Sequence, residues 1–230
     1  MEERYIRNIP AVSPAEQEAL SAAKVVVVGC GGLGGYLIEY LGRMGVGTIT
    51  AVDGDVFEPS NLNRQILSEP ALLGRSKAAA AKERLARINP FVTVHEVEAF
   101  LDGDNATGLV AGQDLALDAL DSVPARLLLA DACAEAGVPL VHGAIRGWWV
   151  QAAVVPPGSG LLHRLYASKD AAGTVEDAPE DKTSLPFTPA FCAAIQAAEA
   201  VKLLAGQPSS LEGRLLLSDL RRMDWDILPL

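Results

Sequence analysis

A run of glycines directly after a run of valines is the part of this 230-residue chain best suited to bind a phosphate. Residues 25–28 are four consecutive valines, a pattern typical of a strand buried on both faces. The glycines that follow predict a tight turn into a helix, with backbone amides left free to hold a phosphate. Alone, this GxGxxG pattern indicates only a nucleotide site. Its members, called the glycine loop below, are Gly29, Cys30, Gly31, Gly32, Leu33 and Gly34.

An acidic residue ends the next predicted strand. Asp53 lies 19 positions after Gly34, and an acid at that place fits a carboxylate that binds ribose hydroxyls. A dehydrogenase that binds a nicotinamide dinucleotide uses an acid at about the same spacing for the same hydroxyls. The spacing therefore does not separate hydride transfer from chemistry on phosphates.

A cluster of polar residues follows a few positions later. It consists of Asn61, Asn63, Arg64 and Gln65. Because arginine offers a planar, two-pronged donor that suits phosphate oxygens, we interpret the cluster as a phosphate clamp. The alternative is an ordinary surface turn, which explains such clusters in most proteins.

Three further charged residues complete the candidate set. Lys77 lies near the start of a predicted helix, where the helix dipole disfavours a cation unless an anion is nearby. A bound phosphate would be such an anion; otherwise Lys77 is a solvated helix lysine. Asp118 and Asp121 flank the end of another predicted strand, and one carboxylate with phosphate oxygens is a common magnesium site. The alternative is that an aspartate caps the helix predicted from residue 124.

Strands and helices alternate up to residue 144, which predicts a parallel sheet with right-handed crossovers. Open parallel sheets bind ligands at the carboxyl ends of their strands, where Asp53 is placed. The predicted strands are residues 24–28, 48–53, 93–99, 115–119 and 140–144. The predicted helices are residues 14–23, 33–44, 76–88, 105–110 and 124–136.

The pattern changes in the remainder of the chain. Residues 148–155 are typical of a strand, residues 191–204 of a helix, and residues 214–220 with 224–228 of a hairpin. Residues 168–189 are rich in Asp, Glu, Pro, Thr and Ser, and we interpret them as an exposed, mobile crossover loop. We therefore predict an α/β fold with a Rossmann-like, doubly wound, mostly parallel sheet, helices on both faces and an antiparallel C-terminal extension. The length fits one such domain over residues 1–230.

Composition argues against several classes of function. The net charge of −10 and the pI near 4.8 disfavour DNA as a partner, although they allow a local positive pocket for a nucleotide. No apolar run reaches ~18 residues, so we expect no membrane span. The first residues lack the apolar core of a signal peptide. Three widely spaced cysteines without a CxxC pair predict no disulfide framework and a cytoplasmic, reducing compartment.

An ordered series of motifs matches one family over almost the whole chain. The sequence resembles the ThiF/MoeB/HesA adenylyltransferases, relatives of the ubiquitin-activating enzymes, in a short form. No single motif is specific, whereas their order is. Besides the glycine loop, the matching stretches are residues 4–9, 45–47, 53–56, 60–65, 74–77, 88–90, 118–122, 139–141 and 196–202.

The resemblance implies that the glycine loop holds ATP and that Asp53 binds the ribose. The nucleotide-binding residues would be Gly29, Gly31, Gly32, Leu33, Gly34, Asp53, Asp55, Asn61, Arg64, Gln65 and Lys77. The catalytic residues would be Arg7, Arg64, Lys77 and Asp121. Among these, Asp121 would hold Mg²⁺ together with the ATP phosphates.

The resemblance also implies partners. Arg7 would reach the phosphates of the neighbouring subunit, so catalysis would require a homodimer. The second substrate would be a small ubiquitin-like sulfur-carrier protein of the ThiS or MoaD type that ends in Gly-Gly. Its C-terminal glycine carboxylate would attack the α-phosphate of ATP, giving an acyl-adenylate and releasing pyrophosphate. A separate protein would donate the sulfur.

The chain departs from the family at its zinc and cysteine positions. Many relatives carry two zinc-binding CxxC pairs, whereas residues 162–165 here are Leu, His, Arg and Leu and no second pair follows; we expect no zinc. No cysteine lies in residues 168–189, so we expect no covalent intermediate with the carrier. We interpret Cys30, Cys133 and Cys192 as structural residues.

Two side-chain predictions concern residues outside the phosphate-binding set. His142 lies within residues 141–144, at the ligand-binding end of the sheet; it could lie near the site, and we interpret it as a structural histidine. Trp148 and Trp149 are adjacent on the predicted strand, so they would point to opposite faces, with at most one in the core.

Three alternatives compete with carrier adenylation. A tRNA threonylcarbamoyladenosine dehydratase-like enzyme shares the motifs at residues 61–65 and 118–122, although the acidic balance argues against RNA. An NAD-dependent oxidoreductase would leave Arg64, Lys77 and Asp121 without a task. A binding module that keeps the fold as a scaffold would not need the phosphate-binding set.

Overall fold

The computed structural model describes residues 2–171 and 183–230, with the backbone alone for residues 168–171. The strands are β1 (Lys24–Val28), β2 (Thr48–Val52), β3 (Thr93–Val97), β4 (Leu115–Asp118), β5 (Leu140–Arg146), β6 (Trp149–Val155), β7 (Arg214–Asp219) and β8 (Asp224–Pro229). The helices are α1 (Pro14–Ala22), α2 (Gly32–Met44), α3 (Lys77–Ile88), α4 (Ala106–Val110), α5 (Val123–Ala136), α6 (Leu161–Ala171) and α7 (Phe187–Leu204). Short 3₁₀ turns are Glu3–Asn8, Pro59–Asn61 and Pro70–Leu72.

The described strands form one sheet in the order β3-β2-β1-β4-β5-β6-β7-β8. The strands from β1 to β5 pair in parallel, and β6, β7 and β8 extend the sheet antiparallel. The chain order reverses between β1 and β4, and ligands of open α/β sheets bind at such a switch point. The amide of Ala119 donates to the carbonyl of Val28 at 3.0 Å, so the ends of these two strands meet beside the glycine loop.

The valines of β1 explain why this strand lies at the centre. Val25 and Val27 pack into the core on the face that carries α2, α3 and α7. Val26 and Val28 pack into a second core with residues of α4, α5 and α6 on the opposite face. Burying each valine contributes about 1.5–3 kcal/mol, so the strand is stable only when both faces are covered. The predicted doubly wound α/β fold with an antiparallel extension is confirmed.

Local capping explains several helix limits. At α1 the Ser13 hydroxyl accepts from the Glu16 amide at 3.3 Å, while the Glu16 carboxylate accepts from the Ser13 amide at 2.7 Å. This reciprocal pair satisfies two amides that a helix start would otherwise leave unpaired. At the C-terminal end of α2, Gly45 takes a left-handed conformation with φ +81° and ends the helix.

The predicted loop at residues 168–189 is wrong at both ends. Helix α6 runs to Ala171 and has no counterpart in the sequence prediction. Its Leu161, Leu162 and Tyr166 are buried, so tertiary packing rather than local sequence pattern defines this helix. Helix α7 begins at Phe187 because Pro189 lies in the first turn, where a missing N–H leaves no hydrogen bond unmade. The mobility predicted for the segment between them lies outside the described residues.

The prediction that both tryptophans lie on the strand is wrong for Trp148, whereas the prediction of at most one tryptophan in the core is confirmed. Trp148 lies in the turn before β6, not on the strand, so the two indoles are not on alternating strand positions. Trp148 is 40% exposed and Trp149 is 54% exposed, and neither belongs to the core. Trp148 instead packs against Phe187 at the start of α7, with ring centroids 5.1 Å apart.

Within the described residues, α7 is the one helix long and apolar enough to cross a membrane by length and composition. It packs against β5, β6 and α2, and it buries Cys192, Ala193 and Ala200 completely. Such burial is typical of a helix at the centre of a globular protein.

Candidate active site

The glycine loop needs glycine for steric reasons at two positions. Gly29 has φ +98°, and a Cβ there would lie 2.5 Å from the carbonyl oxygen of Ala119. A Cβ at Gly34 would lie 1.7 Å from the carbonyl oxygen of Gly29. At Gly31, by contrast, a Cβ would meet only the side chain of Gln65, at 3.4 Å. The loop therefore has no side chain at Gly31 on the side that faces Gln65, and a ligand can approach its backbone closely there.

Asp53 connects the end of β2 to the glycine loop. Its Oδ2 accepts from the amide of Cys30 at 2.7 Å and its Oδ1 accepts from the amide of Asp55 at 2.8 Å. Burial raises the pKa of Asp53, although both amides and the Lys77 ammonium oppose that rise. The carboxylate thus lies beside the loop, where the sequence places the ribose; contact with ribose stays a prediction.

Lys77 is not the solvated helix lysine that the sequence left as an alternative. Its side chain is 8% exposed, and its Nζ lies 3.1 Å from Asp55 Oδ2. The Asp55 carboxylate, which is 56% exposed, is the anion that offsets the helix dipole at the start of α3. Ser76 caps the same helix, accepting from the amide of Ala79 at 3.2 Å. Sequence analysis did not predict the Asp55–Lys77 pair, because 22 residues separate its members.

Arg64 lies against the glycine loop. Its Cγ is 3.9 Å from the Cβ that a residue at Gly32 would carry. Its Nη1 donates to the carbonyl of Ser60 at 2.8 Å and to Asn63 Oδ1 at 2.9 Å. Among the described residues nothing pairs with its Nε or Nη2, the two nitrogens that form the outer fork of a guanidinium. That fork is the geometry with which arginine binds phosphate oxygens.

Two of the three side-chain amides in the polar cluster, Asn61 and Gln65, differ in their surroundings. Asn61 is buried, with its Oδ1 accepting from the Glu58 amide at 3.0 Å and its Nδ2 3.4 Å from the Ser60 hydroxyl, so its contacts shape the turn. Gln65 is 6% exposed, and its buried Oε1 has no partner in the described part of the chain. A buried amide without a partner is costly, and here it lies beside the bare backbone at Gly31.

Asp118 takes neither of the two roles that the sequence left open for the pair Asp118 and Asp121. Its carboxylate is fully buried, where it accepts from the Leu120 amide at 2.9 Å and lies 2.6 Å from His142 Nδ1. It is therefore not available to a metal, and it caps no helix, since Ser122 caps α5 by accepting from the Ala125 amide at 3.4 Å. His142, also fully buried, is the structural histidine that the sequence predicts.

Asp121 lies three residues on, where the chain leaves β4, and is exposed. Its carboxylate has no partner among residues 2–171 and 183–230. The same described ranges contain no group of three or more His, Cys, Asp or Glu that could hold a metal by itself. A magnesium ion commonly takes only one or two carboxylates plus phosphate oxygens, so Asp121 fits the predicted role.

Arg7 lies on the N-terminal 3₁₀ turn, which is docked on the end of α3. Arg4 Nη1 donates to the carbonyl of Ile88 at 3.1 Å and to Asn89 Oδ1 at 2.9 Å. Asn89 in turn donates to the hydroxyl of buried Tyr5 at 2.7 Å. Arg7 itself is exposed and makes no hydrogen bond or ion pair within the described chain, and its role across a dimer stays a prediction.

The three cysteines are free and buried. Burial raises the pKa of Cys133 to about 12, and burial also raises the pKa values of the Cys30 and Cys192 thiols. Because the thiolate is the reactive form, these thiols are poor nucleophiles. Their surroundings agree with the structural roles that the sequence predicts.

Comparison with known sequences points to one family. The ThiF family model matches residues 3–230. The SAMP-activating enzyme E1 of Haloferax volcanii is 41% identical over 229 residues, covering 99% of this chain and 84% of that protein. The sulfur carrier protein adenylyltransferase of Thermus thermophilus is 39% identical over 225 residues, covering 94% and 83%. The probable adenylyltransferase/sulfurtransferase MoeZ of Mycobacterium tuberculosis is 39% identical, and the matched region spans 58% of its length.

Comparison with solved structures gives the same fold. The structure of E. coli MccB with AMPCPP and MccA superposes with a TM-score of 0.84 over 99% of this chain and 71% of that chain. The two sequences are 21% identical, so this likeness concerns the fold.

Proposed function

Because the chain belongs to the ThiF family and is an enzyme of the adenylyltransferase class, we propose that it activates a small ubiquitin-like sulfur-carrier protein. The C-terminal glycine carboxylate of a ThiS- or MoaD-like carrier attacks the α-phosphate of ATP. An acyl-adenylate forms and pyrophosphate leaves. The names of the relatives support this substrate class, since one acts on sulfur carriers and another activates SAMP.

One observation carries the proposal: a continuous line of contacts joins the glycine loop to a buried cation. Asp53 accepts from the Cys30 amide in the loop and from the Asp55 amide, and Asp55 pairs with Lys77. This lysine, which is 8% exposed and linked to the loop through two aspartates, supports the proposal because an ammonium group near the loop can attract an anionic ligand. Nicotinamide chemistry would not need this cation.

The physical task is to bring two negatively charged groups together. A carboxylate must approach a triphosphate, so the site has to reduce their repulsion and align them. Lys77 and the free fork of Arg64 supply positive charge next to the glycine loop. Gln65, whose Oε1 lacks a partner, offers an acceptor to a donor group of the nucleotide. No nucleophile of the protein is needed, in agreement with the raised thiol pKa values.

Asp121 is the residue that we propose for Mg²⁺. When bound, the ion would neutralise phosphate charge and favour departure of pyrophosphate. The single exposed carboxylate at this strand end fits an ion that takes its other ligands from ATP and water. Asp118 is excluded from this task by its burial.

We further propose a cytoplasmic homodimer in which Arg7 completes the site of the neighbouring subunit, with a separate protein as the sulfur donor. Support comes from the exposure of Arg7 on a turn that Arg4 fixes to α3, which presents its guanidinium outward. Mixing inactive Arg7→Ala subunits with inactive Asp121→Ala subunits tests this arrangement. Activity should partly return, and a mixture as inactive as its components would contradict shared sites.

The main test is exchange of radiolabelled pyrophosphate into ATP in the presence of candidate carriers that end in Gly-Gly. Arg64→Ala should reduce exchange by about 100- to 1000-fold, which corresponds to loss of one preorganised donor. Arg75→Ala is the matched control, because Arg75 pairs with Glu83 at 2.6 Å on the surface and both side chains are about half exposed. Equal loss in both variants, or exchange that requires no carrier, would contradict the proposal.

The tRNA dehydratase-like alternative remains a second candidate through the motifs that it shares. It would show ATP turnover that depends on modified tRNA and not on a Gly-Gly carrier. The net charge of −10 is unfavourable for such a polyanion. Membership of the ThiF family removes the NAD-dependent oxidoreductase from consideration.

A further inference from the structure

Leu120, the residue before Asp121, has both of its backbone polar groups held by charged side chains. Its N–H donates to Asp118 Oδ1 at 2.9 Å. Its carbonyl oxygen accepts from Arg126 Nη2 at 2.8 Å and from Arg126 Nε at 3.2 Å. The peptide bond that leads into Asp121 is therefore clamped on the side of its carbonyl.

Arg126 is itself held in place. It is 9% exposed on the first turns of α5, and its Nε lies 3.9 Å from Asp118 Oδ2. Its Nη1 donates to the hydroxyl of Tyr166, on α6, at 3.2 Å. The guanidinium thus contacts groups of two helices and a strand end, while its Nε and Nη2 both point at one carbonyl oxygen.

The rest of this buried network fixes Asp118. His142 Nδ1 lies 2.6 Å from Asp118 Oδ2, and the Gln151 amide lies 3.0 Å from His142 Nε2. Gln196 on α7 donates to the backbone carbonyl of Asp118 at 2.9 Å. Groups from β5, β6 and α7 therefore hold the strand end from which the clamped peptide emerges.

We propose that Arg126 is a positioning residue for the carboxylate of Asp121, an inference that rests on the proposed role of Asp121. The Asp121 side chain makes no hydrogen bond or ion pair within the described chain, so the backbone, which fixes its Cβ, sets the space that the carboxylate can reach. Rotation of the Leu120–Asp121 peptide would swing that carboxylate away from the metal. The fork of Arg126 resists this rotation because two donors meet one oxygen in the guanidinium plane.

The test measures how much Mg²⁺ strengthens ATP binding, by titration calorimetry with and without the ion. Asp121→Asn should abolish most of the gain. Arg126→Met, which keeps length but removes every donor, should reduce the gain by about tenfold, as expected for a group that orients a metal ligand. ATP binding without Mg²⁺ should change little in either variant. Arg126→Lys, which retains the charge but presents a single donor nitrogen in place of the two that meet the carbonyl, should recover part of the gain.

Tyr166→Phe is the matched control. It removes a hydrogen bond of Arg126 without touching the carbonyl of Leu120, so it should keep the Mg²⁺ gain even where urea unfolding shows lost stability. In the double variant Asp121→Asn/Arg126→Met, the second change should add nothing to the loss of Mg²⁺ gain. Hydrogen exchange at the Leu120 amide, which needs no metal, should accelerate in Arg126→Met beyond the change in Tyr166→Phe.

Each failure has its own signature. If Asp121→Asn keeps the Mg²⁺ gain, the proposed metal role of Asp121 is wrong, and this inference fails with it. If Asp121→Asn loses the gain while Arg126→Met and Arg126→Lys both keep it, only the positioning role is overturned. A loss in Tyr166→Phe equal to that in Arg126→Lys would reduce Arg126 to a structural residue. If Arg126→Met does not fold, Arg126→Lys against Tyr166→Phe decides.

Discussion

Two pairs of aspartates end β2 and β4, the strands that flank β1, and they are used in opposite ways. After β2, Asp53 reaches sideways to the glycine loop while exposed Asp55 pairs with the buried cation Lys77. After β4, Asp118 is fully buried against His142 while Asp121 is exposed and without a partner in the described chain. Both members of the first pair thus belong to one charged cluster. In the second pair one member lies in the core, and the other is exposed at the crevice, by which we mean the space outside the carboxyl ends of β1, β2 and β4.

The difference shows that the surroundings of an aspartate, and not its residue type, decide whether it stabilises the fold or can contact a ligand. At β2 both carboxylates can act at the crevice, one on the loop and one on the lysine. At β4 the inner aspartate stabilises the strand end, and only the outer one can meet a ligand. A sequence with two acids near a strand end therefore predicts a site without specifying how many of the acids belong to it.

The largest expected effect is loss of the inner aspartate of β4. Asp118→Ala should lower the free energy of unfolding by about 3–5 kcal/mol, because the buried guanidinium of Arg126 is left without its countercharge. Asp121→Ala, its matched control, should stay within about 0.5 kcal/mol of the parent, since that side chain has no partner to lose. Urea unfolding of both variants measures the contrast. Similar losses in the two variants would show that the pair is not divided as described.

The next effect concerns the cation at β2. Lys77→Met should lower pyrophosphate exchange by about 100- to 1000-fold under the proposed function. Its free energy of unfolding should change by less than about 1 kcal/mol, because methionine fills the buried site and the exposed Asp55 remains solvated. Lys82→Met on the same helix is the control, since Lys82 pairs with Glu96 at the surface and should affect neither quantity. Retained exchange in Lys77→Met would remove Lys77 from the site.

The smallest effect is a pH dependence of the stability that comes from Asp53. Because burial raises the pKa of Asp53 in the folded state, its stabilising contribution is greatest below its ordinary pKa. That contribution is lost as the pH rises through the raised value. Parent stability relative to Asp53→Asn should therefore fall on going from about pH 4 to pH 7. Urea unfolding at several pH values checks the sign, and a difference that rises with pH would contradict it.

Much of the fold could be predicted because its rules act over a few residues. The capping box at Ser13, the left-handed stop at Gly45 and the valines of β1 each lie in one short stretch. The same holds for the glycine loop, where a Cβ at Gly34 would collide with a carbonyl five residues earlier. Helix α6 was not predicted because its stability comes from burying Leu161 and Tyr166 against α5, which is separate from it in sequence.

The candidate site also has features that local sequence predicts and features that depend on residues far away in the chain. Sequence alone determined the residue types of the candidate site, since the glycines, Asp53, Arg64, Lys77 and Asp121 can be found by their order in motifs that each lie in one short stretch. Tertiary structure alone decided that Asp118 is turned inward, because the histidine that holds it is 24 residues away and the glutamine on its carbonyl is 78 residues away. Burial and countercharge depend on such distant neighbours, and no local pattern encodes them.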